Sequence, residues 1–299
     1  MRRGAVIAVD RAAWLALALA LAVPGCAGFH PLRGGPKTRA ASLAWRSAQC
    51  QELSKKAQAA IDRHEDTEAV RLLRQLVAME PKSAEAHHRL GRVLQTHGHL
   101  PEAEAEYRRA LELDHDYVAA MASLGSIEEA QRRPAAALKR FDDAIDLDPN
   151  QADAHLLRGR TLEELGRPED ALAAYFRTLE FAPNSTEARL RVATMQLARD
   201  EPDQALARLD ALTEEDPENA EARHQRGRAH LALNHLPQAL DDLKFAASKL
   251  PDRADVHFHL AVALAADHET KAALASAERA LKLAPNYAEA RALTEKLRR

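Results

Sequence analysis

The chain has 299 residues, 46 % of them apolar and 29 % charged, with only 11 Gly and few β-branched residues; this composition points to helices rather than sheets. A formal net charge of −3 gives no polyelectrolyte basis for binding nucleic acid. Two cysteines exclude a disulfide framework.

Residues 1–25 read as a secretion leader. Arg2, Arg3 and Arg11 make the positive start, and the apolar run from Ala12 to Val23 is 12 residues long, too short to span a bilayer. The run ends in Val23-Pro24-Gly25-Cys26. This resembles the acylation box of bacterial lipoproteins, with Val in the usual Leu place and Pro at the second position. The resemblance implies cleavage before Cys26 and lipidation of its thiol, which anchors a chain without a spanning helix. The residues themselves leave open an ordinary leader cut nearby, which yields a soluble secreted protein, and an uncleaved anchor. Residues 26–49 are a tether: Arg33, Lys37, Arg39 and Arg46 are unopposed by any acid, which suits either anionic headgroups or plain solvation. From Thr38 the composition turns helical. Cys50 has no partnering His nearby and reads as a packed thiol, not a nucleophile.

A 34-residue period organises everything after the tether. Pro81, Pro149, Pro183, Pro217, Pro251 and Pro285 are separated by 34 residues or a multiple of it, with His115 in the one place where proline is missing. Twelve residues before each stands an alanine: Ala69, Ala103, Ala137, Ala171, Ala205, Ala239 and Ala273. Placing the proline at position 32 defines seven units, 50–83, 84–117, 118–151, 152–185, 186–219, 220–253 and 254–287. Each divides into helix A and helix B. In the second unit helix A is expected over about 84–97, Gly98 supplies a left-handed cap and Pro101 opens helix B. Gly166 with Pro168, and Asn234 with Pro237, repeat the pattern. The rung proline ends helix B because it lacks an N–H and clashes with the preceding turn. Residues 288–299, apolar on one side and charged on the other, read as a capping helix.

This pattern resembles the tetratricopeptide repeat, which carries a small residue at position 8, Ala at 20, an aromatic at 24, Ala at 27 and Pro at 32. The second unit matches with Leu90, Gly91, Ala103, Tyr107 and Ala110, the third with Gly125, Ala137, Phe141, Ala144 and Pro149, and the fourth with Gly159, Ala171, Tyr175 and Pro183. The sixth keeps Gly227, Ala239, Ala246 and Pro251. The first, fifth and seventh lack both the glycine and the aromatic but keep position 8 small with Ala57, Ala193 and Ala261. The fold implied is an all-α superhelix of seven helix-turn-helix units closed by the capping helix. The small residues are expected where helices A and B approach most closely, and the aromatics are expected to supply the burial between units.

Searching for chemistry yields no phosphate-binding glycine loop, no Gly-x-Ser-x-Gly and no His-Glu-x-x-His. Neither an enzyme, a cofactor, a metal site nor a small-molecule substrate is expected. His87 and His88 stand at the far end of a helix from His97 and His99, and His257 and His259 point to different helix faces. Glu163 and Glu164 read as a solvated helix face. What the resemblance implies instead is a concave groove lined by helix A positions 2, 5, 9, 12 and 13. These place His88, Arg92, Arg160, His224 and Arg228 in the groove of even-numbered units, and Leu190, Leu197, Leu231, Phe258 and Val262 on an apolar floor in units five to seven. The same apolar side chains also fit a packed role between helices. The partner expected is a protein or peptide, held by a scaffold lipid-anchored in a bacterial cell envelope on the periplasmic side. By resemblance, lipoproteins of this design help assemble pili, secretion channels, outer-membrane proteins or cell-wall enzymes. A non-catalytic regulatory subunit of a cell-wall enzyme is the alternative.

Overall fold

The computed structural model describes residues 39–298; the leader, Cys26 and the tether as far as residue 38 lie outside the described residues. These form fifteen helices and no strand. In chain order they are α1 (Arg39–Asp62), α2 (Asp66–Met79), α3 (Ala84–Thr96), α4 (Leu100–Leu113), α5 (Val118–Ala130), α6 (Pro134–Leu147), α7 (Ala152–Glu164) and α8 (Pro168–Phe181). There follow α9 (Thr186–Ala198), α10 (Pro202–Glu215), α11 (Ala220–Ala232), α12 (Leu236–Lys249), α13 (Ala254–Ala266), α14 (Thr270–Leu283) and α15 (Ala288–Leu297). The chain divides into two units at Glu52–Leu53, inside α1. Before that point the described residues are helical from Arg39, and Cys50 is buried. No helix among the described residues is long and apolar enough to cross a membrane.

From α2 onward each helix packs on the next in sequence, and A helices also touch the A helix of the following pair, as α3 does α5, α5 does α7, α9 does α11, α11 does α13 and α13 does α15, the arrangement of a helical solenoid. The period is kept to the residue. The A helices from α3 to α15 begin at 84, 118, 152, 186, 220, 254 and 288, and the B helices at 66, 100, 134, 168, 202, 236 and 270. The turn between A and B explains this regularity. One residue in each turn takes a left-handed conformation: His64, Gly98, Arg132, Gly166, Asp200, Asn234 and His268. Glycine fills this position in only two of the turns, so the repeat imposes the conformation even where a side chain resists it.

Packing within a pair follows one device. A Cβ added to Gly91 would stand 2.6 Å from the Tyr107 ring, one on Gly125 2.6 Å from Phe141, and one on Gly159 2.5 Å from Tyr175. The aromatic of helix B therefore lies against the bare backbone of helix A in its own unit. All three rings are fully buried and close the pair, and Tyr175 also shares a core cluster with Val192 and Met195 of the next unit, the burial between units expected of it. Where position 8 is Ala, position 24 shrinks to Leu73, Leu209 or Ala277. All seven position-20 alanines are fully enclosed. The buried side chains form successive clusters along the array, Leu162–Met195, Ala193–Ala229 and Ala239–Leu264 with Ala273. At the end of the stack α15 buries Ala290 and Thr294, and Leu297 packs on the last cluster.

The rung prolines do a second job. Five of the six leave their carbonyl pointing at the next A helix, where the side chain six residues on donates to it. His87 Nε2 reaches Pro81 O at 3.3 Å, His155 Nε2 reaches Pro149 O at 2.9 Å, and His257 Nε2 reaches Pro251 O at 3.0 Å. Arg223 donates to Pro217 O at 3.1 Å and Arg291 to Pro285 O at 2.7 Å. A carbonyl only accepts, so each imidazole presents an N–H at Nε2; His87 faces a second acceptor as well, with Glu106 Oε2 2.6 Å from its Nδ1. At Pro183 the corresponding Arg189 turns instead to Glu215, at 2.7 and 2.9 Å. Where His115 replaces the proline, the residue six on is Met121, which has no donor. The turn itself persists because Asp114 accepts from the Asp116 N–H at 3.1 Å, as Asp148 does from Asn150.

Candidate groove on the A helices

Neighbouring A helices meet with an offset of 35 residues, one more than the period, so that position 5 of one unit faces position 6 of the next. Ser54 accepts from Arg89 at 2.5 Å, His88 Nε2 lies 3.2 Å from the Ser123 hydroxyl, and His224 Nε2 lies 3.0 Å from His259 Nδ1. These contacts fix which predicted groove residues remain available.

In units two and three, His88 is buried against two rings, Tyr107 at 5.6 Å and Tyr117 edge-on at 5.2 Å. Burial, reinforced by the Arg92 charge, pushes its pKa down to about 4, so the imidazole is neutral at ordinary pH. Arg92 is exposed and makes no ion pair among the described residues.

In units six and seven, His224 is completely enclosed, with Glu221 at 3.8 Å and His259 closing the other side. It therefore supports the groove from behind and presents no surface of its own. Burial, then the neighbouring His224 and Arg228, push His259 down to about 3. Arg228 donates to Gln225 at 2.6 Å and is half-buried; burial lowers its pKa, while Asp255, Tyr287 and Glu221 oppose that. Phe258 packs on Tyr287 at 5.0 Å and on His259 at 5.3 Å. Leu190 and Leu197 pack against the Ala193–Ala229 cluster and Leu231 against the Ala239–Ala273 cluster, all half-buried, and Val262 is half-buried too. Beside them Ala198, Ala232 and Ala266 are exposed.

The middle of the array is organised around charge. Arg160 is 3.3 Å from Glu129 and 3.9 Å from Glu187, and Arg191 is 3.3 Å from Glu163 and 3.9 Å from Glu187. Glu163 is not the solvated group its sequence context implies; it is half-buried and accepts the Tyr175 hydroxyl at 2.5 Å. Burial and this carboxylate raise the Tyr175 pKa. The same device appears in unit two, where Tyr107 donates to Gln95 at 2.7 Å. Glu129 occupies the equivalent place in unit three, but Phe141 has no hydroxyl to offer. Glu129 Oε1 is buried without a hydrogen-bond partner, and burial pushes the carboxyl pKa up.

Sequence reasoning missed Glu129, His259 and Tyr117. The signal that finds them is the offset of 35 residues from groove position 5, together with the alternation of Tyr and Phe at position 24. Of the histidines, His87, His155 and His257 are spent on proline carbonyls. Among the described residues no group of three or more His, Cys, Asp or Glu side chains is placed to hold a metal ion. A cleft of about 900 Å³ between α2 and the start of α4 is bridged by the Arg74–Glu102 ion pair at 2.6 Å, and His97 Nε2 lies 3.1 Å from Asp66.

Two sequence models described as tetratricopeptide repeat match the chain, one over residues 122–186 and 224–288 and the other over 60–125, together more than half of its length. A tetratricopeptide repeat protein from Parabacteroides merdae ATCC 43184 superposes with a TM-score of 0.55 at 19 % identity, covering 84 % of this chain and 100 % of its own. YrrB, a TPR protein with an unusual peptide-binding site, superposes with a TM-score of 0.51 at 26 % identity, over 62 % of this chain and 95 % of its own. PilF of Pseudomonas aeruginosa gives a TM-score of 0.65 at 20 % identity, over 71 % of this chain and 96 % of its own. The first and third likenesses, at 19 and 20 % identity, establish a shared fold alone. No curated protein sequence matches the chain significantly.

Proposed function

This chain belongs to the tetratricopeptide repeat family, a fold of protein–protein interaction scaffolds, and on that premise we propose that it is a lipid-anchored scaffold of a bacterial cell envelope. It performs no catalysis and grips a peptide or helix of a partner protein along its A-helix face. The observation that carries the reading is the unspent chemistry of that face. Arg92 is exposed without an ion pair, Arg228 is half-buried and hydrogen-bonded to an amide with no carboxylate in contact, and Glu129 has an unmet oxygen. Charged groups held partly out of water without full compensation cost stability, and a partner's complementary groups offset that cost. The likeness to YrrB supports a peptide as the occupant. Support for the anchor is the leader-like run ending at Cys26 and the acid-free basic stretch after it.

Two measurements test the two halves. Crosslinking in membranes followed by detergent extraction of the full chain is expected to recover a stoichiometric partner; a chain recovered alone contradicts the scaffold reading. Cys26→Ala is expected to move the protein from the membrane to the soluble fraction, and unchanged fractionation contradicts lipidation.

A further inference from the structure

The centre of the A-helix face, where units three, four and five meet, carries more negative than positive charge. Glu129, Glu163, Glu164 and Glu187 surround Arg160 and Arg191. The four ion pairs among them are slack, at 3.3, 3.9, 3.3 and 3.9 Å. Some pairs elsewhere in the array close to hydrogen-bond length, Arg189 to Glu215 at 2.7 Å, Arg226 to Asp242 at 2.7 Å and Lys249 to Glu218 at 2.6 Å, while others, such as Arg133 to Glu104 at 3.5 Å and Arg140 to Glu128 at 3.7 Å, are as long as those at the centre. Charge-assisted bonds shorten to about 2.7–2.9 Å when fully made. The central carboxylates are thus only half-engaged by the chain's own cations.

Glu129 supplies an independent sign. Its side chain is 9 % exposed, its Oε2 faces Arg160, and its Oε1 has no partner. A buried carboxylate oxygen without a donor is costly, and native structures rarely keep one without a reason. The cost could be removed by a tyrosine at position 24, as Tyr107 and Tyr175 do for Gln95 and Glu163 in the units on either side. Unit three carries Phe141 there instead, which leaves the acceptor open.

We propose that this open acceptor and the carboxylates around it form a subsite for a lysine ammonium of the partner segment. The inference rests on the scaffold reading and deepens it. An ammonium is compact and carries three donors, so it bonds Glu129 Oε1 and a second carboxylate at once, with Arg160, which is 38 % exposed, shifting aside. Arg92 in unit two and Arg228 in unit six flank this cluster on its two sides and favour acidic residues there, so the partner segment reads acidic, basic, acidic along the groove.

The test selects peptides from a random-sequence library on the full chain and remeasures each one with its lysines replaced by acetyl-lysine, which keeps the stem and removes the charge. The wild type is expected to enrich lysine at one central position, and acetylation there weakens binding about tenfold or more. Glu129→Gln reduces this preference to less than about twofold. Phe141→Tyr is the decisive variant. Its hydroxyl satisfies Glu129 from inside, so the melting temperature rises while the lysine preference falls, a combination that misfolding cannot produce. Peptides that bind without a lysine preference, or whose preference survives in both variants, overturn the subsite and leave the scaffold standing. A chain that selects no peptide at all overturns both.

Discussion

Phe141→Ala is expected to lower the unfolding free energy of the array by about 3–5 kcal/mol, the range for deleting a fully buried aromatic side chain. The ring is wholly enclosed over Gly125, where the helices of unit three are so close that even a methyl group would collide with it at 2.6 Å. Alanine leaves that space empty, because the flanking small residues Ala137 and Ala144 cannot reach across it. Each repeat contacts only its neighbours, so a loosened third unit also withdraws support from the second and fourth. Phe141→Leu provides the contrast. Units one, five and six already use Leu73, Leu209 and Leu243 at this position, and the leucine variant is expected to cost only about 1–1.5 kcal/mol. Denaturant titration followed by helical circular dichroism reads both. An alanine variant within about 1 kcal/mol of the parent contradicts the claim that ring-on-glycine packing closes the pair.

Acidification from pH 7.5 to 5 should weaken the seam between α11 and α13. His259 is held at about 3, far below the ordinary 6.5, so the unfolded chain binds its proton more readily than the folded one. The sign follows from linkage. The histidine's contribution is complete above about pH 6.5 and is lost progressively as the pH falls towards 3. By pH 5 the loss is about 2 kcal/mol, since each unit of pH below the unfolded value costs about 1.4 kcal/mol. His88, held at about 4, acts in the same direction in units two and three. The groups facing His259 are His224, Arg228 and Asp255, and the two basic ones oppose a second positive charge there. Glu221, held at about 2, loses its contribution as the pH falls through and below the ordinary carboxylate range and adds little between pH 7 and 5, whereas Glu129, raised by burial, acts against the imidazoles, so a histidine variant is needed to separate their share. His259→Gln keeps a neutral hydrogen-bonding group beside His224 and is expected to flatten the dependence of melting temperature on pH. A parent melting temperature unchanged over that window contradicts the assignment.

The frame was legible because it is written in residues whose physics is local. Proline ends helix B, and alanine at position 20 and glycine at position 8 permit close approach. The helix starts then fall in step wherever those residues recur. Contacts between units were not legible in the same way. The offset of 35 residues that joins His88 to Ser123 and His224 to His259 arises from the rotation of each pair on the last, which no single repeat encodes. For that reason His224 reads as a groove residue in register and proves to be enclosed. The proline-carbonyl caps were visible as His87, His155, Arg223, His257 and Arg291 at one position. A polar residue in the first turn of a helix reads as surface until its acceptor is located. The unmet oxygen of Glu129 follows from the lack of a hydroxyl on Phe141, a difference that the aromatic pattern treats as equivalence.

Face-selective photocrosslinking in intact cells tests the central claim most directly. A photoreactive residue at Ala198 or Ala232, both exposed ends of A helices, samples the proposed groove, whereas the same probe at Glu214 or Lys244 samples the exposed B-helix side. The account predicts one partner band from the A-helix positions, absent from the B-helix positions. Equal crosslinking from both sides, or crosslinking confined to Glu214 and Lys244, would contradict it.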